Sequence, residues 1–139
     1  MNWFKKISQT ENPSEQIARN LPVISSWNGM SLTDIGSSYN SISSSMEDYE
    51  VLNGIREIPL SMFENTTPSS KNQAERERVQ NLAQQIQENQ WIEPLVVAFD
   101  DHPSPYIIEG AHRFDALVSV LGAQTLPSLV VIDKSDYGG

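Results

Sequence analysis

The sequence predicts an α/β fold, a small mixed sheet carrying two main helices. Three observations lead there. Apolar residues recur at helical spacing between residues 74 and 89, a second helical stripe follows between 111 and 122, and short apolar runs flank both. The resulting order, β–α–β–β–α–β from about residue 55 to 132, requires helices laid on a sheet so that both bury their apolar faces.

Each element has its own warrant. "IREIPLSMF" (55–63) has strand-like content, and Pro59 marks an edge or an end because proline cannot donate to a ladder. "ENTTPSSKN" (64–72) is rich in turn formers. In "AERERVQNLAQQIQEN" (74–89), Val79, Leu82, Ala83 and Ile86 fall at i, i+3, i+4 and i+7, one face of a helix. "WIEPLVVAF" (91–99) reads as a strand, "DDHPSP" (100–105) as a turn and "YIIEG" (106–110) as a second strand. In "AHRFDALVSVLG" (111–122), Phe114, Leu117, Val118 and Leu121 form the stripe and Gly122 the stop. "LPSLVVID" (126–133) is the last strand.

Residues 1–50 are weakly patterned and read as a loosely structured arm with at most short helices. "MNWFKKI" sets Trp3, Phe4 and Ile7 on one side, and "PSEQIARNL" offers a short helix with Pro13 in its first turn. "SSYNSISSS" places six serines in nine residues, too little apolar surface to order itself. The predicted organisation is therefore an arm at 1–50, a domain at 51–135 and a tail at 136–139. On this reading the arm adds little stability, and a fragment starting near Glu50 folds alone.

Composition bounds the function. The chain has 139 residues, 38% of them hydrophobic, room for one ordinary domain and an appendage. A formal charge of −9 and a pI near 4.5 argue against direct DNA binding, which needs a dense basic face. There is no cysteine, hence no disulfide, thiolate metal site or cysteine nucleophile. No apolar run approaches the ~20 residues of a membrane span, and "MNWFKKISQT" lacks the apolar stretch of a secretory signal. A soluble cytoplasmic protein is expected.

The chemistry concentrates at Gly110-Ala111-His112-Arg113, where a strand, a glycine and a helix start follow in turn. Helix starts carry unpaired N–H groups and partial positive charge, glycine permits close approach, and guanidinium is a two-pronged donor. Phosphate is the anion such a corner suits. On the first helix, Arg78, Asn81 and Gln85 share a polar stripe that either holds phosphate oxygens or is simply a solvated face. Glu109 either ends its strand and favours the helix dipole, or, as a carboxylate beside the phosphate corner, holds Mg²⁺ or takes a proton from an acceptor hydroxyl. "DDHP" (100–103) reads as a turn rather than a metal site.

These blocks, over about residues 55–132 and without large gaps, resemble the ParB/sulfiredoxin superfamily domain. Gly110-Ala111-His112-Arg113 is similar to the Gly-Cys-His-Arg signature of sulfiredoxins and the Gly-Glu-Arg-Arg of ParB proteins, corners that hold nucleotide phosphates. The resemblance implies a nucleotide site for ATP, ADP or CTP, with Arg78, Asn81 and Gln85 at positions whose sulfiredoxin counterparts also contact phosphates. Ala111 replaces the cysteine that sulfiredoxin chemistry needs, so that activity is excluded. The helical motif and helix-turn-helix that follow this domain in partition clamps are not found before Gly139, and no carboxylate-rich cluster supports nuclease chemistry. Free-serine kinases resemble the chain in an acidic residue before their corner, the place of Glu109; the implied roles are Mg²⁺ binding and catalysis of hydrolysis or phosphoryl transfer. The competing class is a non-catalytic interaction module that docks a protein partner through its arm and a vestigial pocket.

Overall fold

The computed structural model describes residues 13–33, 49–63, 72–100 and 104–133. In chain order these form a helix at Pro13–Arg19 (α1) and three short strands at Val23–Ile24 (β1), Ser26–Trp27 (β2) and Met30–Leu32 (β3). Then come a long strand at Tyr49–Pro59 (β4) and a helix at Gln73–Asn89 (α2). Strands at Trp91–Ile92 (β5), Leu95–Phe99 (β6) and Tyr106–Glu109 (β7) precede a helix at Ala111–Asp115 (α3) and a last strand at Thr125–Asp133 (β8).

Five strands make one mixed sheet in the order β1-β4-β8-β6-β7. Strand β8 lies antiparallel to β4 and parallel to β6, and β7 closes the edge antiparallel to β6. Leu95, Val97 and Phe99 of β6 join Leu126, Val130 and Ile132 of β8 in the core shared with the helices. Val96, Ala98, Leu129 and Val131 form a second buried cluster on the other face. A strand buried on both faces has no polar alternation, which is why β6 reads "LVVAF". The Tyr106 hydroxyl donates to the Asp133 carboxylate, tying the edge strand to the end of β8.

The α/β prediction holds, with refinements. The first helix begins at Gln73, and the Asn72 side chain caps it by accepting from the Glu75 N–H at 2.9 Å. Val79, Ala83 and Ile86 are its buried face. The strand expected at 91–99 is split, because Pro94 interrupts the ladder and sends β5 and β6 to different sheets. The second helix keeps α geometry only to Asp115, then widens into a π-helical turn over Ala116–Val120. Gly122, at φ +69°, follows its end.

Residues 13–33 differ most from expectation. Instead of a loose arm they supply α1, the edge strand β1 and the β2–β3 hairpin, whose β3 pairs in parallel with β5 in a second sheet. Ala18, Leu21, Trp27 and Met30 are buried in the same core as α2 and β6. The hairpin turns on Asn28-Gly29 at φ +50° and +80°, the two-residue turn whose positive φ values match strand twist. Arg56 of β4 donates to the Arg19 and Leu21 carbonyls at 2.9 and 3.2 Å, and Arg19 reaches Glu50 at 2.7 Å. Trp3, Phe4, Ile7, the serine run at 37–45 and residues 101–103 lie outside the described residues.

This packing generates an expected outcome opposite to a dispensable arm. Trp27 is 4% exposed, so Trp27→Ala is expected to cost about 3–5 kcal/mol, as truncation of buried aromatics does. A fragment starting at Glu50 is expected to lose cooperative melting. Urea denaturation of both checks this; a loss under about 1 kcal/mol for Trp27→Ala would place residues 13–33 outside the stabilising core.

Candidate functional site

The C-terminal half of α2, strand β5 and the corner between β7 and α3 enclose a cleft of about 520 Å³. Leu82, Gln85, Ile86 and Asn89 face it from α2, Trp91 and Glu93 from β5 and its exit, and Glu109 to Arg113 from the corner. Segments more than twenty residues apart thus converge, because α2 packs against α3 and both lie on the face of the sheet lined by Leu95 and Val97.

Gly110 sets the corner. Its φ of +107° disfavours any L side chain, and a Cβ there would stand 2.6 Å from Leu95 Cδ2. Its carbonyl accepts from the Phe114 N–H at 2.8 Å, which closes the first turn of α3. No side chain caps this end. Ala111 and His112 are exposed on the cleft, and Glu109 is half-buried beside them.

Arg113 departs from expectation. A side chain one residue before the apolar stripe should point to solvent, with its removal nearly neutral. Instead it is 16% exposed and folds onto the exit of β5, its Nη1 donating to the Glu93 and Pro94 carbonyls at 3.1 and 3.0 Å. The same nitrogen lies 3.4 Å from the Glu93 carboxylate. Both carbonyls lie at the break between β5 and β6, and the guanidinium donates to each of them there. The cleft therefore holds two carboxylates, Glu93 and Glu109, against Arg113 and His112.

On the α2 stripe, Gln85 reaches the cleft wall, whereas Arg78 and Asn81 are exposed two turns and one turn earlier and lie outside it. The wall also includes three residues that sequence reasoning missed. Asn89 continues the stripe four residues after Gln85, a spacing that could have revealed it. Trp91 is 45% exposed, a large apolar ring left open beside polar groups. Glu93 carried no sequence signal, since its role comes from its pairing with Arg113.

Arg113→Ala is consequently expected to destabilise the fold by about 1–3 kcal/mol, through loss of two charge-assisted hydrogen bonds to part-buried carbonyls. Chemical denaturation measures it. An unchanged midpoint would mean that the guanidinium does not hold the β5–β6 exit.

Among the described residues no helix is long and apolar enough to cross a membrane. No curated protein matches the chain. A family model described as the ParB N-terminal domain matches residues 44–136, most of the chain and all of the cleft. By that match, and by the glycine corner and mixed α/β sheet it covers, the chain belongs to the ParB N-terminal domain family.

Proposed function

We propose that the cleft binds a nucleoside di- or triphosphate of the ATP, ADP or CTP type, together with Mg²⁺. The observation that carries this reading is the convergence of Gln85, Asn89, Trp91 and His112 on one cleft of about 520 Å³. That volume suits a nucleotide-sized ligand. The half-exposed Trp91 indole offers a stacking surface for a base, which binds any base by its π-face. His112 and the 110–113 backbone offer donors to phosphate oxygens, with Gln85 and Asn89 donating from α2. Arg78 and Asn81 would take part only with a ligand extending beyond the wall.

Mg²⁺ would arrive with the nucleotide. Among the described residues no group of three or more His, Asp or Glu converges on one point, so a protein-only metal site is not supported. Glu109 fits the other mode, in which one carboxylate and the phosphates share the ion. Hydrolysis or phosphoryl transfer would then rest on Glu109, as metal ligand or as base toward an acceptor. Sulfinic acid reduction is excluded because Ala111 occupies the signature position and the chain has no cysteine.

One observation favours the second reading, a non-catalytic interaction module. The Glu93 carboxylate already lies 3.4 Å from Arg113, so phosphate would have to share or displace that partner. Docking of a protein partner through the N-terminal segment belongs to that reading.

Calorimetry with ATP, ADP and CTP, each with and without Mg²⁺, separates the two. Binding of at least one is expected, weakened about tenfold or more in His112→Ala by loss of a charge-assisted hydrogen bond. Glu109→Gln is expected to spare Mg²⁺-free binding and lower any turnover. Silence with all six combinations favours the interaction module. Glu93→Gln gives an independent check: relieving its repulsion of phosphate is expected to tighten binding roughly fivefold, about 1 kcal/mol for a partly exposed pair. Weaker binding by this variant would remove Glu93 as a competitor for Arg113.

A further inference from the structure

We infer that a second cleft, sharing no wall residue with the first, docks a partner protein's peptide through a basic side chain with an apolar neighbour. This cleft, of about 490 Å³, lies between the tip of the β2–β3 hairpin, the C-terminal end of α2 and residues 121–125. An apolar groove of about 560 Å³ adjoins it, walled by Pro13, Ile17, Leu21, Pro22 and Pro59. Glu57 and Thr125 belong to both walls, so the two spaces meet at one carboxylate.

That carboxylate is the only ionisable group on either wall among the described residues. It is also held in place. The buried Trp27 indole N–H donates to Thr125 Oγ1 at 3.1 Å, and the Thr125 hydroxyl donates to Glu57 Oε2 at 2.7 Å. No cation among the described residues pairs with Glu57, in contrast with Glu93. Helix ends reinforce the sign. Residues at the C-termini of α2 and of the helical run 111–120 line this cleft, and helix C-termini carry partial negative charge. Gln90 donates its Nε2 to the Gln87 carbonyl at 2.7 Å, which leaves its Oε1 to accept.

Among the described residues the space thus presents acceptors and negative charge without a donor cation, a complement to the five N–H donors of a guanidinium. The groove gives the second half of the specificity. Ile17 is 46% exposed there, while Ala18 and Leu21 on the same segment turn into the core. An apolar residue beside the basic one would cover it. The chain's charge of −9 would draw a basic segment from a distance.

The Trp27 indole proton reports on this site, because it is linked to Glu57 through Thr125. Full-length ¹⁵N-labelled protein is titrated with a Leu-Arg-Leu amide peptide, with Leu-Gln-Leu amide and with arginine amide, following the Trp27 Nε1–H resonance and the 121–125 amides. Saturable shifts with Leu-Arg-Leu are expected, at least tenfold weaker in Glu57→Gln, whose amide oxygen can still accept from Thr125 and keep the fold. Ile17→Ala is expected to weaken the peptide but not arginine amide. The inference is overturned if Leu-Arg-Leu produces no shift, if Leu-Gln-Leu shifts the same resonances equally, or if Glu57→Gln binds as wild type does. Equal affinity for arginine amide and the peptide would also overturn it, by reducing the site to one for a small cation.

Discussion

The Arg113 guanidinium is the contact on which the arrangement of the cleft depends. It ties the start of α3 to the point where the chain leaves the small second sheet and enters the large one. Pro94 cannot donate to a strand, so that crossing necessarily interrupts the ladder. One side chain then donates to both carbonyls at the interruption and ties them to the first turn of α3. The geometry of the cleft and the stability of the fold are therefore not separable at this residue. A variant that fails to bind nucleotide at position 113 says little about phosphate unless its melting is measured beside it.

Much of this fold was legible in the sequence where elements are long. The α2 stripe of Val79, Ala83 and Ile86 and the unbroken β6 run needed only the periods of helix and buried strand. Residues 13–33 were not legible by that means. Strands of two or three residues carry no period, and their places are set by long-range bonds, such as those from Arg56 to the Arg19 and Leu21 carbonyls. One local signal was present and unused: Trp-Asn-Gly-Met at 27–30, an Asn-Gly pair between residues that turn out to be buried. The π-helical turn after Asp115 also left no mark in the pattern, since Phe114 and Leu117 reach the core in either geometry.

The candidate site divides along the same line. Gly110 was readable because a strand, a glycine and a helix start follow in turn, and its backbone angle disfavours any side chain there. The stripe was readable in direction but not in extent, and it is its C-terminal end, Gln85 and Asn89, that reaches the cleft. Which end of a helix faces a site is a tertiary fact that spacing along one helix does not contain. The partner of Arg113 was hidden for the same reason, twenty residues away and across a chain reversal.

A common economy in the use of cations underlies both clefts. Arg19, Arg56 and Arg113 all point inward to carboxylates or backbone carbonyls, stapling α1 to β4 and α3 to β5. Arg76 and Arg78 stay exposed on α2, so the described guanidinium groups of this acidic chain divide between structural contacts and one helix surface. That division also shapes what each cleft can recognise. Where Glu93 neutralises Arg113, an anion needs added positive charge, such as Mg²⁺, or must displace the carboxylate. Where Glu57 has no such partner among the described residues, the missing charge can come from the ligand itself. On the two readings proposed above, the first cleft would take an anion that shares or displaces Glu93, and the second would take a ligand that brings its own positive charge.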